Sequence, residues 1–192
     1  MNKYDPHKHH RRSIRLKDYD YASAGCYFVT ICVRGGECLL GKIVDGRIVL
    51  NEFGRIAQES WFWLADRYDY ISLDESAFMP NHMHGIIVYH DDPGRGASRS
   101  APTDNTPTAV ARKPLGRLVG AFKTISTKQI NNLRGTPGEP FWQRNYWEHI
   151  VRNERALLAI REYIIYNPTR WEIDKLHPGT GLNPFNESWK RP

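Results

Sequence analysis

Hydrophobic and polar positions along the chain change period several times, and each change predicts an element. From Cys26 to Val33 the run Cys-Tyr-Phe-Val-Thr-Ile-Cys-Val is dense in β-branched and aromatic side chains, the composition of a central strand. Residues 39–44 and 47–50 flank Asp45-Gly46, the signal of a tight two-residue hairpin. Asn51 is a suitable N-cap, and after it the apolar positions Phe53, Ile56, Ala57, Trp61 and Leu64 take helical spacing to about Asp66. Residues 70–78 return to strand composition and pair, across Met79-Pro80-Asn81, with a further strand to Tyr89. Leu115, Leu118, Val119, Phe122, Ile125, Ile130 and Leu133 mark the buried stripe of a second helix over about 115–133. An extended segment lies within 141–150. Asn153 then caps a last helix, with Leu157, Ile160 and Ile164 as its buried edge, that runs to about Tyr166 ahead of Asn167-Pro168.

Reduced to its core, this order is β-α-β-β-α-β with one added C-terminal helix. It predicts an α+β fold: a ferredoxin-like or RRM-like antiparallel sheet with helices on one face and a further helix at the end. Residues 1–24 form a basic N-terminal arm, 25–171 the folded domain and 172–192 a C-terminal tail. Between about 91 and 114 lie four prolines among Gly, Ser, Thr and Asp with little to bury, which marks an insertion placed to cover or extend a groove.

Composition narrows the class. With 40% hydrophobic and 25% charged residues in 192, the chain is an ordinary globular domain. A net charge of +6 favours a polyanionic partner, nucleic acid first. Cys26, Cys32 and Cys38 lack the paired spacing of a zinc site and read as thiols of a reducing compartment. No apolar stretch approaches a membrane span, so the sequence predicts a cytoplasmic, nucleoid-associated protein without a membrane partner. Lys123 belongs to a basic cluster with Arg112, Lys113, Arg117 and Lys128 on or near the second helix, a candidate DNA-binding surface.

The candidate chemistry lies in two separated stretches. His82 and His84, two apart on a strand, face the same side and can offer two imidazoles to a divalent metal. Tyr163 and Asn167, four apart on a helix, share one face. An amide oxygen beside two imidazoles suits Mg²⁺ or Mn²⁺ and leaves positions for phosphate oxygens. The phenol of Tyr163 would then attack a phosphodiester in line, with Glu162 and His149 as candidate helpers. Each feature alone has an ordinary explanation: a turn into an edge strand, a boundary tyrosine, a helix end. Their coincidence does not. Tyr166 is rotated by about 100° from Asn167 and is the alternative nucleophile.

Met79-Pro80-Asn81-His82-Met83-His84, followed by Trp142-Gln143-Arg144 and by Arg161-Glu162-Tyr163-Ile164-Ile165-Tyr166-Asn167-Pro168, resembles the REP-associated tyrosine transposases of the HUH single-strand endonuclease superfamily. The likeness runs from the basic arm and Tyr27-Phe28-Val29-Thr30 to Trp171. It implies metal-dependent cleavage and strand transfer of single-stranded DNA at hairpin-forming repeats. Tyr163 would become linked to the 5′ phosphate, and His82, His84 and Asn167 would hold Mg²⁺ or Mn²⁺. It further implies that Arg11, Arg12 and Arg15 read DNA beside the hairpin stem. Monomer and homodimer both stay open. The alternatives are a non-catalytic single-strand-binding module on the same fold, which needs no same-face His, Tyr and Asn, and a metal-dependent hydrolase, which needs no Tyr163.

Overall fold

In the computed structural model, residues 19–91 and 112–180 are described. The predicted elements are present in the predicted order: β1 (Gly25–Cys32), β2 (Gly41–Val44), β3 (Arg47–Leu50), α1 (Glu52–Arg67), β4 (Ile71–Phe78), β5 (His82–Tyr89), α2 (Leu115–Arg134), β6 (Trp147–Val151) and α3 (Glu154–Tyr166). Four strands form an antiparallel sheet in the order β4-β5-β1-β6, and β2-β3 is a separate hairpin. This is the expected α+β, ferredoxin-like arrangement. Arg11, Arg12, Arg15, residues 92–111 of the insertion and 181–192 lie outside the described residues.

Strand alternation divides the sheet into two faces. On one, Tyr27, Val29, Ile31, Met83 and Ile87 pack with Ala57, Trp61 and Leu64 of α1 and Leu118, Val119 and Phe122 of α2. On the other, Phe28 and Ile86 pack with Leu157 and Ile164 of α3. The added helix therefore covers the face that the first two helices leave open.

Three details differ from the apolar pattern. Leu133 is exposed and Asn131 is buried instead, its amide donating to the Glu139 carbonyl at 2.8 Å. A polar side chain enters the stripe there because α2 is ending and the following turn offers an acceptor. Tyr19 and Tyr21, placed by sequence in the arm, pack against Tyr27 with ring centroids 6.4 and 6.2 Å away. The insertion is rooted at the far end of β5, where Arg112 donates to the Asp91 carbonyl at 2.7 Å and Tyr89 Oη to the Lys113 carbonyl at 2.9 Å. That root is a strand length from His82, roughly 23 Å at about 3.3 Å per residue.

α3 is held at its middle. A one-residue bulge between Leu73 and Ser76 of β4 turns Asp74 toward Arg161, which meets it through two hydrogen bonds of 2.9 and 2.6 Å. Paired contacts of this kind fix direction as well as distance. No helix among the described residues is long and apolar enough to cross a membrane.

Candidate active site

His82 and His84 open β5 and point to the α3 side, because their alternation partners Met83 and Gly85 face the core. Both are buried. Their Nε2 atoms face each other at 3.1 Å. Each outer nitrogen has its own partner: His82 Nδ1 lies 2.8 Å from Asn81 Oδ1, and His84 Nδ1 lies 2.8 Å from Thr30 Oγ1 of β1. Phe28 floors the site, its ring stacked on His84 at 5.4 Å and edge-on to Tyr163 at 6.1 Å. Burial and the neighbouring His84 hold His82 far below the ordinary histidine range, and burial takes His84 down to about 3. Both imidazoles are therefore neutral at pH 7, the form that binds metal.

α3 brings the other half. Tyr163 Oη lies 3.2 Å from His84 Nε2, while the residue as a whole stays 40% exposed. Its phenol is pushed up to about 12, first by burial and then by the Asp174 carboxylate, with the Asn167 amide opposing. Asn167, one turn on, is buried at the helix end. Its Nδ2 donates to Asp174 Oδ2 at 3.2 Å, whereas its Oδ1 is buried with no hydrogen-bond partner. Leaving such an acceptor unsatisfied costs about 1–3 kcal/mol.

Asp174 is the residue that sequence reasoning missed. It stood in the expected tail, but the chain turns through a 3₁₀ segment, Pro168–Ile173, and carries the carboxylate back to the histidines. One ligand atom from each of His82, His84 and Asp174 lies within 4.8 Å of the others. The turn is anchored by Trp171, buried and 6.1 Å from the His82 ring, and Leu176 N donates to Asp174 Oδ1 at 2.6 Å. Such turns leave no helical or strand period, and the signal available was a lone Trp followed three residues later by an acid.

Two imidazoles, a carboxylate and an unsatisfied amide oxygen suit a divalent cation of hard to borderline character. The orphaned Asn167 oxygen is the structural sign that the set fits such an ion.

The other sequence candidates are not brought here. Lys123 Nζ donates to the Gln143 carbonyl at 2.7 Å and the Asn145 carbonyl at 3.0 Å, and burial lowers its pKa to about 8. It pins the loop before β6 through these carbonyls. Tyr166 and Glu162 are exposed on other sides of α3. His149 lies on β6 with its ring parallel to Trp147 at 6.0 Å.

No family model matches the chain. A Haemophilus influenzae protein described only as uncharacterized is 38% identical over 178 residues, which span 91% of this chain and 97% of that protein. A second Haemophilus influenzae protein, provisionally named a REP-associated tyrosine transposase, is 22% identical over 180 residues, 88% of this chain and 90% of its own. A solved structure of a REP-associated tyrosine transposase bound to a REP hairpin matches with a TM-score of 0.53 at 17% identity, over 83% of this chain and 74% of that one. The chain belongs to one family with the 38% identical Haemophilus influenzae protein, and in its motifs and its fold it resembles the REP-associated tyrosine transposases.

Proposed function

We propose that this chain is a metal-dependent single-stranded DNA endonuclease and strand transferase that acts on hairpin-forming repeats through a phosphotyrosine link at Tyr163. The observation that carries the reading is the meeting, at one point, of the Tyr163 hydroxyl and a buried pair of neutral imidazoles beside an unsatisfied amide oxygen. A binding module has no need of that conjunction.

His82, His84, Asn167 and Asp174 would hold the cation, Mg²⁺ or Mn²⁺. When bound, it would draw charge from a phosphodiester and favour the phenolate over the phenol. Tyr163 sits at the end of a helix clamped to β4 by Arg161 and Asp74, so its oxygen is held with little freedom. The Tyr163 oxygen attacks phosphorus and its proton passes to solvent water, which the half-exposed side chain can reach. The bond from phosphorus to the upstream 3′ oxygen breaks, and that oxygen takes up a proton as a free 3′ hydroxyl. The downstream 5′ phosphate remains on Tyr163. Attack by another 3′ hydroxyl reverses the step, joins the strand and frees the tyrosine. Phe28 keeps water from the inner side of the ring.

DNA bearing a hairpin is the substrate class, by the named partner of the similar solved structure. Arg11, Arg12 and Arg15 would contact it from the arm. The proposed cellular place is the cytoplasm, at the nucleoid. Calorimetric titration with Mn²⁺ tests the metal half. Wild type should bind one ion, His84→Ala and Asp174→Ala more weakly; equal binding by all three would refute this donor set.

A further inference from the structure

The geometry points to Asn81 as a positioning residue that fixes which nitrogen of His82 carries its proton, and so aims a lone pair at the site. The inference rests on the metal-site reading above. It adds a residue which touches neither DNA nor the reacting atoms.

Asn81 is fully buried, and its amide is held from both ends. Its Nδ2 lies 3.1 Å from the Gly36 carbonyl and 2.7 Å from the Leu176 carbonyl. A carbonyl only accepts, so the group facing both must be the NH₂, and the amide has one allowed orientation. Its oxygen must then be the atom 2.8 Å from His82 Nδ1. An amide oxygen also only accepts, so Nδ1 must carry the proton. A neutral imidazole has one ring proton, and Nε2 of His82 is left with a lone pair. That lone pair is the one directed at His84 Nε2, 3.1 Å away.

The partner of His84 imposes no such constraint. Thr30 Oγ1 both donates and accepts, so it supports His84 Nδ1 with or without a proton. Without metal, His84 Nε2–H can donate to His82 Nε2 while Thr30 donates to His84 Nδ1. With metal, the His84 proton resides on Nδ1 and Thr30 accepts it. One histidine is fixed and its neighbour is adjustable, which lets two nitrogens sit 3.1 Å apart without both bearing protons or both exposing lone pairs.

The Leu176 contact adds a second consequence. The same amide that orients His82 ties down the turn that carries Asp174, because Leu176 N also donates to Asp174 Oδ1. Asn81 thus sets two of the proposed ligands from one side chain.

The test uses the full chain, metal-free, labelled with ¹⁵N in the histidine rings. Two-bond proton–nitrogen correlation spectra report the tautomer of each histidine directly. Wild-type His82 should be the Nδ1–H form. In Asn81→Ala the proton should move toward Nε2, and Mn²⁺ affinity should fall by roughly 10- to 100-fold, the usual effect of losing a group that orients a ligand. Asn81→Asp keeps an acceptor for Nδ1 and loses both carbonyl contacts, so it should hold the tautomer even where its melting temperature drops. A purely structural Asn81 predicts the reverse, with Asn81→Ala and Asn81→Asp altering the melting temperature and leaving the tautomer where it was. An Nε2–H form in wild type, or an unchanged tautomer in Asn81→Ala, overturns the inference. A wild-type protein with the expected tautomer that binds no Mn²⁺ upholds the role of Asn81 and refutes the metal reading instead.

Discussion

Gly85 follows the two histidines, and replacing it with alanine should be costly for a reason that the sequence does not display. Its backbone is ordinary strand and is not among the positive-φ glycines, so alanine meets no conformational penalty and even gains about 0.4–1 kcal/mol from a stiffer unfolded chain. The obstacle is space. A Cβ at this position would lie 2.4 Å from Trp61 Cζ2, 3.0 Å from Trp61 Cε2 and 3.1 Å from Met83 Cε. Normal carbon contacts begin near 3.5 Å, so the indole or the strand must yield by about 1 Å. Trp61 is fully buried and stands edge-on to Phe122 with centroids 5.6 Å apart, so it has no open side to move into. Overpacking of this kind costs about 1–3 kcal/mol, and we expect the upper part of that range. Net of the unfolded-chain gain, about 2 kcal/mol of destabilisation remains, which for a chain of this size is a fall in melting temperature of about 4–8 °C. Calorimetry of metal-free protein measures it. Combining Gly85→Ala with Trp61→Phe should recover part of the loss, a coupling of about 1 kcal/mol or more. A melting temperature unchanged in Gly85→Ala, or strict additivity in the pair, would refute the packing argument.

Further consequences concern charge. The buried histidines of the metal-free protein resist protonation that the unfolded chain accepts below about pH 6.5, so stability should decline as pH falls through that value. Each contributes at most about 1.4 kcal/mol per pH unit, and denaturant titrations at pH 7.5 and 5.0 that give equal stabilities would contradict it. Lys123→Met should lower stability through loss of its carbonyl contacts and leave the salt dependence of DNA affinity unaltered; a shallower slope would return Lys123 to the DNA surface. Deleting residues 1–15 should flatten that slope, and an unchanged slope would remove the arm from the binding account. Asp74→Ala should speed amide exchange along α3, since it unties Arg161 from β4, and unchanged exchange would mean that packing alone holds the helix.

The fold was readable because each element carries its own period. Strand alternation put His82 and His84 together, and helical spacing put Tyr163 and Asn167 together. What spacing could not give was the approach of the two pairs, which depends on α3 lying across the sheet. The bulge at Asp74 that receives Arg161 has no sequence mark. Asp174 was missed because a 3₁₀ turn has no amphipathic stripe, and Asn81 was visible in the motif while its three contacts were not. The contacts of Lys123 with the Gln143 and Asn145 carbonyls were likewise invisible, because the sequence does not reveal that a neighbouring loop turns its carbonyls toward α2.

The proposed chemistry rests on a covalent bond between Tyr163 and DNA. The measurement is a denaturing-gel assay for a protein–DNA adduct, with long single-stranded DNA rich in hairpins, in Mn²⁺, Mg²⁺ or chelator. Peptide mass spectrometry then locates the attachment. The adduct should need the cation, map to Tyr163 and disappear in Tyr163→Phe. An adduct mapped to Tyr166, or metal-dependent cleavage undiminished in Tyr163→Phe, would contradict that chemistry.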